Sequence, residues 1–116
     1  MSLKVHPPKV LKVARLSDLA RFAASLATLG SSVYIVHFPH KGKHIYGLLT
    51  VYRDYYKYYG VPIFYYLEID EKLGGDYILV KLDEKERIEV TNGVRPGWMH
   101  IPIVSLKEKP DFIEIP

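Results

Sequence analysis

Apolar and polar positions along the chain follow two periods. In "LSDLARFAASLATLG", Leu16 to Gly30, the residues Leu19, Phe22, Ala23, Leu26 and Leu29 recur at helical spacing and form one apolar face. Ser17 fits an N-cap, Asp18 suits the positive end of the helix dipole, and Gly30 stops the run. Ala20, Ala23, Ala24 and Ala27 favour helix and permit close approach to a sheet. Elsewhere the period is two. "KVLKVAR" predicts a first strand, and "SVYIVHF" and "HIYGLLTVY" predict a hairpin across "PHKGK". "PIFYYLEI", "YILVKL" and "RIEVT" follow, joined by charged, glycine-bearing loops. A last strand, "HIPIVSL", contains Pro102, which suggests an edge position or a bulge because proline cannot donate to a ladder. The expected fold is α+β: one N-terminal amphipathic helix packed on a mostly antiparallel sheet of six to seven strands. Residues 1–116 read as one domain, with 1–8 as an extended tail.

The segment "VYRDYYKYYGVPIFYY", Val51 to Tyr66, holds seven of the ten tyrosines. As a strand, "YRDYYKYYG" has no clean apolar face. As a helix, Tyr52, Tyr55, Tyr56 and Tyr59 share one side, Arg53, Asp54 and Lys57 point away, and Gly60 and Pro62 end the turn. A short second helix near 53–59 is therefore predicted, with most rings packing on the sheet and Tyr58 left over. On the next strand, alternation groups Ile63, Tyr65, Leu67 and Ile69 on one face. Tyr66 falls on the other face with Glu68 and Asp70, and so leans toward the polar side.

Charge changes this picture. Residues 1–60 carry nine Lys/Arg against two Asp/Glu, and residues 61–116 carry seven against eleven. Such asymmetry raises the prospect of a polyanion partner, although folding can interleave the two halves in space. The chain has no cysteine, which excludes disulfides and thiolate chemistry and is compatible with a reducing cytoplasm. No apolar run is long enough to suggest a membrane span.

Candidate chemistry is sparse. His37, His40 and His44 bracket "HFPHKGKH" and form a candidate metal set, but their spacing matches no metal motif and two lysines oppose a cation. No metal or cofactor is expected, and Lys41, Lys43 and the histidines read better as a flexible phosphate-contacting tip. "NGVRPGWMH" places Arg95 and Trp98 near a loop, as residue types of stacking sites and interface hot spots, with Trp98 folded back to cap the end of the core as the other reading. Glu68 and Asp70, or Asp83, Glu84 and Glu86, lack neighbours that would separate their pKa values for acid–base work. The sequence contains no G-x-S-x-G, P-loop or G-x-G-x-x-G, so catalysis is not expected. The favoured expectation is a binding domain for single-stranded nucleic acid or RNA, using Lys41, Lys43, His44, Arg53, Lys57, Tyr58, Tyr66, Arg95 and Trp98. The alternative is a protein–protein or self-association domain built on the tyrosine cluster and a free sheet edge.

Overall fold

The computed structural model describes residues 8–30, 32–51, 62–81, 83 and 85–116. Strand β1 (Lys9–Lys12) precedes α1 (Leu16–Thr28). The strands β2 (Ile35–His40), β3 (Lys43–Val51), β4 (Pro62–Ile69), β5 (Tyr77–Lys81), β6 (Arg87–Thr91) and β7 (Met99–Ser105) follow. They form one seven-stranded sheet in the order β1-β4-β3-β2-β7-β5-β6. Pairs β2–β3, β3–β4, β5–β6 and β5–β7 are antiparallel, while β1–β4 and β2–β7 are parallel. The fold is thus α+β, a helix on a mixed and mostly antiparallel sheet, with the helix placed after the first strand. The short helix expected near 53–59 and residues 1–7 of the expected tail lie outside the described residues. Among the described residues no helix is long and apolar enough to cross a membrane.

Strand β7 joins two antiparallel ribbons. Its first half, Met99 to Pro102, pairs with β5, and its second half, Ile103 to Ser105, pairs with β2. Pro102 sits at the change of partner. The expected edge position is therefore wrong: β7 is interior. The ring is tolerated because the ladder is already interrupted there, and the next amide, Ile103 N–H, donates to Asp76 O at 2.8 Å.

The two faces of the sheet are covered differently. On the first face, Ile35, Tyr46, Leu48, Leu67, Ile78, Val80 and Ile101 pack beneath α1. The helix buries Leu19, Ala20, Ala23 and Ala24, so its contact stripe centres on small residues that bring the backbone close to the sheet. Leu29 is exposed, and Phe22 lies half outside, stacked on Tyr65 at 4.7 Å. Arg15, not Ser17, is the N-cap residue; its extended backbone makes no side-chain cap, and its guanidinium pairs with Asp18 at 3.4 Å across the first turn.

On the second face Phe38, Ile45, Phe64 and Tyr66 form a core closed by Ile113, with Val10, Val36 and Ile115 against it. The chain's last residues fold back over this face. Lys109 Nζ ties their turn by donating to the carbonyls of Pro110 (3.1 Å) and Ile113 (2.7 Å). Tyr66 is therefore only 4% exposed, which corrects its expected polar setting. Alternation assigned its face properly, but the segment that covers that face is forty residues or more downstream and left no local signal. Burial also pushes the Tyr66 phenol up from its ordinary value.

Gly47, opposite Tyr66 on β3, is buried under the Phe64 ring, and a Cβ there would overlap that ring. Replacing Gly47 by Ala is expected to lower stability by about 1–3 kcal/mol through overpacking, read as a lower urea midpoint at unchanged slope. Adding Phe64→Leu to that variant should cost less than the sum of the two single changes, since the Phe64 ring makes the clash.

Candidate functional site

The β2–β3 hairpin turns through Lys41 and Gly42, both at positive φ (50° and 76°), a two-residue connection that matches the strand twist. Lys41 projects from the tip, exposed. Lys43 is bonded to the Asp70 carboxylate at the end of β4. That hydrogen bond raises the Lys43 ammonium and lowers the Asp70 carboxyl from their ordinary values. The basic tip is thus partly neutralised by the acidic second half of the chain. Arg21 on α1 and Glu86 repeat the pattern at 2.7 Å.

The three histidines do not converge. Strand alternation sends His40 to the second face, where its Nε2 is buried with no hydrogen-bond partner among the described residues. His37 and His44 share the first face. His37 is 4% exposed, and both its ring nitrogens are engaged. Nδ1 lies 3.0 Å from Ser105 Oγ, its parallel partner on β7, and Nε2 lies 2.9 Å from His44 Nδ1. The ring stacks on Tyr46, opposite it on β3, at 4.5 Å between centroids. The Tyr46 hydroxyl in turn accepts from Leu73 N–H at 2.8 Å, which fastens the β4–β5 loop over this end of the sheet. Each polar group of the column is satisfied, as burial demands. His37 is held below the ordinary imidazole value, first by burial, then by the neighbouring His44 and by Lys72.

A second cationic group surrounds Trp98 at the opposite end of β7. The indole is 8% exposed, so Trp98 folds back into the core, the alternative to an open stacking platform. Arg95 Cζ, Arg87 Cζ and Lys81 Nζ lie 4.7, 5.4 and 6.0 Å from its ring. Lys81 and Arg87 face each other directly across β5 and β6. Asp83 relieves Arg87 at 2.7 Å, and its carboxyl is held below the usual range by that bond; Glu89 pairs with Arg95 at 2.8 Å. The two arginines remain about half exposed.

No family model, curated protein or solved structure matches the chain.

Of the residues expected to act together, the fold brings Arg95 and Trp98 into contact and sets Lys41, Lys43 and His44 at the other end of β7. Tyr66 is covered, and Arg53, Lys57 and Tyr58 lie outside the described residues. The sequence reading missed Lys81 and Arg87, although hairpin pairing of "YILVK" with "RIEVT" would have set them opposite one another. It also missed Ser105, which reaches His37 only through a parallel pairing across 68 positions.

The depressed His37 fixes a direction for pH dependence. Folding favours neutral His37, so its contribution is complete above the unfolded value near 6.5 and is lost as pH falls through the lower folded value. Thermal melts at pH 7.5 and 5.5 should show a drop in Tm for the protein as it stands. The drop is expected to be smaller in His37→Gln, whose side chain takes up no proton.

Proposed function

We propose that the chain is a nucleic-acid-binding module that holds the phosphate backbone at the cations around Trp98. One observation carries this reading: Lys81 and Arg87 are placed directly opposite each other on neighbouring strands and joined by Arg95 around one indole. Like charges in direct cross-strand register are unfavourable, and Asp83, which acts on both, relieves them only in part, so the cluster still favours a further anion. Asp83 and Glu89 offset two of the three charges and leave an excess of one. Guanidinium groups packed on an aromatic ring keep donor edges for a phosphate's oxygens. Because Tyr66 and Trp98 are buried, the reading rests on phosphate contact rather than on stacking by those rings. Lys41 at the hairpin tip, beyond the far end of β7, is a lesser contact about 35 Å away. A cysteine-free chain suits action in a reducing cytoplasm, which forms part of the proposal.

Self-association is the second reading, and a specific feature favours it. Leu49 and Val104 on the second face, beyond the cover of Ile113, are 44% and 43% exposed, and Phe112 lies half outside. A dimer seen by analytical ultracentrifugation and abolished by Leu49→Lys with Val104→Lys would support it.

Fluorescence anisotropy with a single-stranded oligonucleotide tests the first reading. Three phosphate contacts predict a log–log salt slope of about −2 for a single strand. Arg87→Gln with Arg95→Gln should weaken binding about tenfold or more at low salt and flatten the slope by about one or two, whereas Lys41→Ala should change little. Unchanged affinity and slope in the double variant would remove the site; absence of binding even at low salt would remove the reading.

A further inference from the structure

The hydrogen-bonded column Ser105–His37–His44 has the order of a nucleophile, a base and a group that receives the base's proton. We propose that Ser105 is a nucleophile toward small activated carboxylic esters, with His37 as its general base and His44 as the outlet for the proton. Ser105 is an exposed residue at the end of β7, with its Oγ turned onto His37 in a part-buried bond, while His37 behind it is shut away from water. The distances of 3.0 Å to Nδ1 and 2.9 Å from Nε2 onward to His44 are those of a serine–base pair and a base–partner pair.

Burial poses a problem that this chain of bonds solves. A buried imidazole is a poor resting place for positive charge, since leaving water penalises the charged ring. In the column, however, His37 need never keep two protons. As Ser105 Oγ bonds to the ester carbonyl carbon, its proton passes to His37 Nδ1, and the proton on His37 Nε2 passes to His44 Nδ1. The positive charge therefore comes to rest on His44, which is only half buried and can be solvated through its other nitrogen. Collapse of the tetrahedral adduct breaks the bond to the leaving oxygen, which takes a proton from His44 through the same chain or from water. Water then hydrolyses the acyl-serine along the same route, so one ester and one water give one acid and one alcohol.

The rest of the surroundings fit. The Tyr46 ring beneath His37 and the Leu73 N–H that holds its hydroxyl fix the imidazole in place. No deep cleft is needed for a small, reactive ester at an open strand end, and no selectivity for a large substrate is implied.

Labelling of the full chain with an alkyl fluorophosphonate tests this directly, because that reagent forms an Oγ–P bond with loss of fluoride. Intact-mass and peptide analysis should find one adduct, on Ser105, and p-nitrophenyl acetate should release nitrophenolate with a burst. Ser105→Ala should abolish both, and His37→Gln should slow labelling about a hundredfold. His44→Gln should also slow labelling, by less, since the first transfer survives. Folded protein should label while the same protein in urea does not, a comparison that needs no variant. Lack of an adduct on Ser105, equal labelling of folded and unfolded chains, or an undiminished rate in His37→Gln would overturn the assignment.

Discussion

Almost everything in this fold depends on one strand having two partners. Strand β7 gives its first half to β5 and its second half to β2, and this exchange makes a single sheet of two antiparallel ribbons that local hairpins alone would leave separate. Hydrogen bonding forces the continuity, because an unpaired strand edge in the middle of the molecule would leave backbone groups without partners. Pro102 marks the junction. Both candidate sites are consequences of the same strand: Trp98 lies just before its first residue and Ser105 is its last. The ends of β7 thus lie about 20 Å apart and present different chemistry, cations around an indole at one and a hydrogen-bonded column of serine and histidines at the other.

The second governing feature is that neither sheet face is left wholly to water. The helix covers one face through alanines, which allows close approach at little cost in side-chain entropy. The last residues of the chain cover part of the other through Ile113 and Ile115. Burying Ile113 alone contributes about 1.5–3 kcal/mol, a large share of what a domain of this size holds in net stability. The two covers decide the fate of two aromatic residues in the tyrosine-rich segment, one on each face. Tyr65 stacks on Phe22 and Tyr66 disappears beneath the returning chain, so both serve packing.

Much of the fold was legible because it is written in local periods. The helix, the strands and the face of each residue on β4 follow from periods of 3.6 and two, and the β2–β3 hairpin follows from its residue types, although its connection is Lys41–Gly42 alone and the rest of "PHKGK" is paired in the strands. What escaped depended on contacts between distant parts of the chain. Pro102 read as a residue of an edge or a bulge because only the β2–β7 pairing shows that β7 is interior and changes partner there. Tyr66 read as polar because its cover comes from the C-terminal residues. His37, His40 and His44 read as a possible trio because the hairpin brings them together in sequence, yet the pleat puts His40 on the opposite face. The charge asymmetry between the halves was real but spatially interleaved, as the Lys43–Asp70 and Arg21–Glu86 pairs show. The cation cluster around Trp98 draws instead on the acidic half of the sequence, which a count of charges along the chain passes over.

Trp98 is the only tryptophan, so its emission reports on one place in the molecule. The most direct measurement is intrinsic fluorescence during titration with oligouridylate at low salt. Anion binding by Arg87, Arg95 and Lys81 changes the charges packed on the indole, and the account predicts a saturable change in emission that added salt reverses. Binding of the same oligonucleotide, detected by anisotropy, with Trp98 emission unaltered would contradict it.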